Sequence, residues 1–164
     1  MTLFEQDEQV HRVALGTVTG FLAFGFGSGL SRFAPGTMGT IVAIPFAPLL
    51  KVLPPVGYWA LLCGLFLLGI WICSVTAKRL GKHDPGGIVW DEMVGYWLTI
   101  AFVPLTWPWL LLAFILFRIF DILKPWPIKS AERLFEGGLG IMADDVLAAG
   151  YAMLIMAGIT WVLG

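Results

Sequence analysis

The run VGYWALLCGLFLLGIWICSVTA, residues 56–77, holds 22 residues without a charge. At helical rise it is about 33 Å long, enough to cross the hydrocarbon core of a bilayer. Pro54 and Pro55 precede it, and the basic group Lys78, Arg79 and Lys82 follows. The whole chain suits a bilayer as solvent. Of 164 residues, 59% are hydrophobic and 13% charged, with a mean hydropathy of +0.87, whereas charged residues approach a quarter of a soluble domain. Ten Lys and Arg balance 11 Asp and Glu for a net charge of -1, which excludes charge-driven disorder and a nucleic-acid partner. One domain, residues 1–164, is the expectation. Cys63 and Cys73 fall about 15 Å apart along the helix, so no disulfide joins them. The start, MTLFEQDEQVHR, is acidic and unlike the basic head of a secretory signal, so the first residues are expected to be kept.

Working outward from that run, residues 13–30 are apolar but carry five glycines, which predicts a short, weak helix, either spanning the membrane or re-entrant in it. Next, Pro35 and Gly36 break the chain, and Thr37 is placed to cap a helix reaching Leu53. Downstream, a helix is expected from Asp91 or Glu92 to before Pro104, and another from Pro108 to Leu123. Pro125 and Pro127 end it. A polar connection containing GGLG at 137–140 then leads to a last helix from Asp144 to Gly164. The fold class is therefore all-α: a polytopic membrane protein with about four to five short membrane helices.

Following these hairpins back and forth places the charges. Arg32, the Lys78 group, Asp84, Asp91, Glu92, Arg118, Asp121, Lys124, Lys129, Arg133, Asp144 and Asp145 gather on one face, and Lys51 alone lies on the other. The positive-inside rule makes the charged face cytoplasmic. Trp90, Trp97, Trp107, Trp109 and Trp126 stand near helix ends and read as interfacial anchors.

Three acidic groups lie at ends of apolar helices. Asp91 and Asp144 admit a plain reading as helix caps that suit the dipole. Asp121, near a helix C-terminus, opposes the dipole and needs compensation, either from Arg118 one turn earlier or from a bound cation. Carboxylates from three helices, with only His83 as a nitrogen donor nearby, fit Mg²⁺, which takes oxygen ligands and meets substrate through phosphate. The surrounding cations suit a phosphate bridged to metal. The free N–H groups of the PGTMGT turn offer a further anion contact or are plain helix punctuation. Lys78, Arg79 and Lys82 read as juxtamembrane anchors.

The strings GFGSGLSRFAPGTMGT, HDPGGIVWDEMVG, FRIFDILKPWPI and GGLGIMADDVLAAG, in this order, resemble the phosphatidylglycerophosphatase A family over most of residues 20–155. The resemblance implies a Mg²⁺-dependent phosphatase of the bacterial inner membrane that converts phosphatidylglycerophosphate to phosphatidylglycerol and inorganic phosphate, its partner being the phospholipid and no obligate protein. It supplies no agreed nucleophile. A cysteine thiolate is not expected, both cysteines lying within the apolar run, and no DxDx[TV] or SGH string supports an aspartyl-phosphate or phosphohistidine route. Metal-assisted hydrolysis remains. On that basis Asp91, Glu92, Asp121 and Asp145 are the expected metal ligands. Asp84 or Asp144 orients the attacking water, with direct attack by a carboxylate such as Asp91 left open. Arg118 and Lys124, with Arg32 and Thr37, are expected to bind phosphate. The alternatives are a transporter using the carboxylates as an ion site, whose mark would be charge at mid-span, and a purely structural membrane subunit.

Overall fold

The computed structural model describes the backbone of residues 3–82 and 85–163, and the side chains of these except 3–6, 131–133 and 163. All regular structure among the described residues is helical. In chain order the elements are α1 (Leu3–Gly16), α2 (Val18–Ala23), a 3-10 turn (Ser28–Leu30), α3 (Pro35–Ala43), a second 3-10 turn (Ile44–Phe46) and α4 (Ala47–Lys51). Then come α5 (Pro55–Leu80), α6 (Trp90–Thr99), α7 (Trp107–Leu123), α8 (Ile128–Leu134) and α9 (Gly137–Leu163).

Helices α5 and α9 are long and apolar enough to cross a membrane, yet only 33% and 28% of their most apolar windows are buried. A core helix of a soluble protein would be mostly covered. Here Val56, Leu67 and Trp71 on α5, and Leu154 and Trp161 on α9, face outward, as lipid contact requires. Pro55 opens α5, and Gly81, at φ +64, closes it with an N–H bonded back to the helix carbonyls.

Helix α9 is the hub: it packs against α5, α6, α7 and α8, while α3 lies on α6 and both α1 and α2 cover α5. It also begins seven residues earlier than its hydrophobicity predicts. The GGLG segment forms its first turn, because Gly138 sits against the backbone of α5, where a Cβ would run into the Ile70 carbonyl. The Gly138 N–H donates to Ser74 Oγ at 2.8 Å, so a side chain of α5 caps α9. Gly138→Ala is therefore expected to cost about 1–3 kcal/mol by forcing the two long helices apart, read as a lower melting temperature in detergent. An unchanged melt would show that the close approach is not needed.

Three further expectations are corrected. The helix expected over 37–53 is broken in two, since Pro45 and Pro48 remove backbone donors in its middle, and Thr37 does not cap it: the cap position is Ala34, at φ +43. Residues 128–134, expected as a connection, form α8. Trp90 and Trp97 are core residues rather than interfacial anchors: their ring N–H groups donate to the carbonyls of Leu65 (3.1 Å) and Ala43 (2.9 Å). Trp107 and Trp126 are exposed, as anchors should be.

Candidate functional site

The first turn of α6 carries Asp91 and Glu92 to the inner side of the bundle. Trp90 fixes its depth through Leu65, while the Tyr58 hydroxyl donates to the Trp97 carbonyl further along. Helix α9 runs antiparallel to α5 and brings Met142 against Gly69. Asp145, one turn on, meets Asp91 and Glu92 level with the middle of α5. One carboxylate oxygen from each of these three lies within 4.8 Å of the other two. Asp91 Oδ1, Glu92 Oε2 and Asp145 Oδ1 are buried and have no hydrogen-bond partner.

Buried carboxylates without donors call for an explanation, because water cannot screen their mutual repulsion and every lone pair left empty is costly. A cation held among them supplies both missing interactions. All the donors are carboxylate oxygens, the set that hard divalent ions such as Mg²⁺ or Ca²⁺ take, while zinc and copper favour nitrogen or sulfur. The cluster has the composition of a metal site.

Helix α7 adds the positive complement. Its Arg118 places Nη1 2.6 Å from Asp121 Oδ2 and 3.9 Å from Glu92 Oε1, and keeps a buried Nε without a partner. Asp121 also neighbours Asp145. It thus stands between the cation and the three-carboxylate group, and both compensations expected for it are within its reach. Lys124 ends α7 at φ +42, a left-handed turn that releases its side chain toward α9, where Nζ lies 2.7 Å from Asp144 Oδ2. Helix α3 approaches from the other side: a Cβ on Gly36 would collide with Glu92 Oε1 and sit 3.1 Å from Arg118 Nη1. Only glycine lets that helix start reach the charged groups.

The structure therefore brings together Asp91, Glu92, Arg118, Asp121, Lys124, Asp144 and Asp145. Thr37 follows Gly36 in the first turn of α3, half-buried beside them. Arg32 is exposed and lines a neighbouring cavity of about 310 Å³ with His11 and Pro35. Among the described residues it enters none of the cluster's ion pairs. Asp84 and His83 lie outside the described residues, as does the side chain of Arg133. Lys78 and Arg79 end α5, and Arg79 donates to Thr19 at 3.1 Å, which fits an anchoring role.

One reading changes. Asp144 and Asp145 are not at a helix start but two turns inside α9, so capping and dipole stabilisation do not account for them. Their depth also removes the distinction that all charge lies at helix ends. The thiolate route is excluded by the fold. Cys73 and Arg79 stand at the Cys-x5-Arg interval in CSVTAKR, but both belong to α5, and Cys73 is fully buried in the core. A helix turns its side chains apart over six residues and cannot wrap a phosphate between them. The roles of Gly36, Gly138 and Ser74 carried no signal in the sequence beyond the PGT and GGLG strings.

The phosphatidylglycerophosphatase A family profile matches residues 21–160. The chain is 42% identical over 167 residues to phosphatidylglycerophosphatase A of Escherichia coli K12, covering all of this chain and 95% of that one. It is 44% identical to the phosphatidylglycerophosphatase A of Haemophilus influenzae, covering 96% and 99%. A protein of Bacteroides thetaiotaomicron, provisionally named a phosphatidylinositol-3-phosphatase, is 45% identical over 85% of this chain and 92% of its own. No solved structure matches.

Proposed function

Because the chain belongs to the phosphatidylglycerophosphatase A family, we propose that it removes the terminal phosphate of phosphatidylglycerophosphate, leaving phosphatidylglycerol and inorganic phosphate. The observation that carries the chemistry is the meeting of Asp91, Glu92 and Asp145, with unpartnered buried oxygens, beside Arg118 and Lys124. The family makes the transporter reading the weaker one.

In this reading Asp91, Glu92 and Asp145 would hold Mg²⁺, with Asp121 as a further ligand, direct or through water. The chemistry such an ion would supply is neutralisation of charge on the phosphoryl oxygens and a more acidic water in the site. Arg118, whose Nε is unused, and Lys124 bind the remaining phosphate oxygens, with the first-turn N–H groups of α3 as a further donor set near Thr37. Water oxygen bonds to phosphorus as the P–O bond to the glycerol breaks, and the proton the water gives up passes by way of Asp144 to the glycerol oxygen. Asp144, held by Lys124, orients that water and accepts its proton; Asp84 is the other candidate. Arg32 meets the phosphate from the rim.

The membrane reading places α5, α9 and the shorter helices between them in the bacterial inner membrane, as four to five membrane helices with the charged end cytoplasmic. The site then lies below the basic end of α5, where a lipid headgroup is drawn in and water reaches it from the cytoplasm. Lys129→Cys, in a background lacking Cys63 and Cys73, should react with impermeant maleimide from the cytoplasm, and Thr106→Cys from outside. Both labelling from one side would break this topology.

The decisive assay is phosphate release by purified protein from phosphatidylglycerophosphate, with phosphatidylinositol 3-phosphate as the competing substrate. Activity should vanish with EDTA and return with Mg²⁺. Turnover that survives thorough chelation removes the cation from the mechanism, and a preference for the inositol lipid overturns the substrate assignment. Gly36→Ala should lower kcat by about tenfold or more while helix content is kept, since its Cβ must displace Glu92.

A further inference from the structure

Beneath the carboxylate cluster, helices α5, α6 and α9 frame an apolar cavity of about 360 Å³, lined by Cys63, Phe66 and Leu67 of α5, Val94 and Leu98 of α6, and Val146 of α9. Its volume falls in the range of ligand pockets. We propose that this cavity seats one acyl chain of the lipid substrate, an inference that rests on the phosphatase reading of the carboxylate site.

The argument is continuity. Val94 lies one turn beyond Asp91 on α6, and Val146 directly follows Asp145 on α9, so the cavity begins where the carboxylates end. A lipid whose phosphate is held by Arg118 beside Asp91, Glu92 and Asp145 has its glycerol at that boundary, and a chain leaving it meets the cavity first. From Leu67 the cavity runs to Trp59, about 12 Å along α5. Leu67 is 64% exposed, so the cavity is open sideways and a chain enters from the bilayer without threading. Surrounding lipid is as apolar as these walls, so the chain gains shape-matched contact and not escape from water. The cavity should therefore act on chain selection and on how often the headgroup is presented.

The test compares kcat/KM for phosphatidylglycerophosphate with palmitoyl and with butyryl chains. Cys63→Trp, which fills the cavity, should lower the palmitoyl-to-butyryl ratio by about tenfold or more. Leu154→Trp, on the outward face of α9, should leave the ratio unchanged. Should Cys63→Trp fail to fold, the wild-type protein is photolysed with a palmitoyl lipid carrying a diazirine in its chain, and the adducts should map to 59–67 of α5 and 94–98 of α6. An unaltered ratio, or adducts confined to other surfaces, overturns the proposal. So does a Cys63 disulfide between two copies, which would make the cavity a subunit interface. If wild type hydrolyses neither lipid, the phosphatase reading fails, and the adduct map still decides whether a chain lies in the cavity.

Discussion

Asp145→Asn is expected to lower turnover by about a thousandfold at saturating Mg²⁺, roughly 4 kcal/mol of barrier stabilisation, in a protein that remains folded. The side chain is 2% exposed, carries an unpartnered Oδ1 and shares its surroundings with Asp91, Glu92, Asp121 and Asp144. An amide of the same shape fills the same space, so no cavity opens. Removing one of several repelling charges should leave the metal-free protein melting at or above the wild-type temperature. The Mg²⁺-induced rise in melting temperature should shrink or disappear. That pairing separates a ligand from a structural carboxylate, whose loss would lower stability and activity together. Combining Asp145→Asn with Asp121→Asn should be scarcely worse than either alone, because groups acting as one unit are not additive in rate. If both single variants keep more than about a tenth of wild-type turnover, a loss under 1.4 kcal/mol, the metal-site assignment is wrong.

Arg118→Gln should cost both stability and rate, and a second substitution should separate them. Its Nη1 lies 2.6 Å from Asp121 in a site where both side chains are largely buried. Deleting the cation strands that carboxylate, an effect of about 3–5 kcal/mol for a buried pair. Adding Asp121→Asn removes the stranded charge and should recover most of the melting temperature. It should recover none of the activity, since the phosphate still lacks its guanidinium and the site has now lost the Asp121 carboxylate as well, and kcat/KM should stay down by about a hundredfold or more. Arg118→Lys should fold and remain impaired, a point charge lacking the fork that grips two oxygens. Activity returning together with stability in the double variant would show that Arg118 serves only as a partner for Asp121.

Much of this molecule follows from chain order and hydrophobicity. The uncharged stretch 56–77 became α5 because a bilayer-length apolar run with a proline start and a glycine stop has no competing structure. Proline positions bounded α7 for a similar reason, since a missing N–H is a local cost that no packing removes. The pairing of Arg118 with Asp121 was also legible, because three residues on a helix leave two side chains on one face. The acidic and basic residues that meet in the site were recognisable from their residue types and the hairpin order.

What the sequence by itself determined was therefore local or additive: which segments are apolar enough to prefer lipid and where helices must stop. Tertiary structure alone decided the rest. Hydropathy placed the start of α9 at Asp144, but the cap from Ser74 and the seat of Gly138 against Ile70 extend it back to Gly137, which puts Asp145 inside the bundle. Trp90 and Trp97 went inward because carbonyls of Leu65 and Ala43 accept from their rings, partners that no sequence interval announces. The distance between Asp91 and Asp145, 54 positions apart, is set by how three helices cross, and so is the cavity beneath them. Hydrophobicity and proline act through each residue's own neighbourhood, whereas the gathering of carboxylates depends on contacts between remote segments that form only when the helices pack.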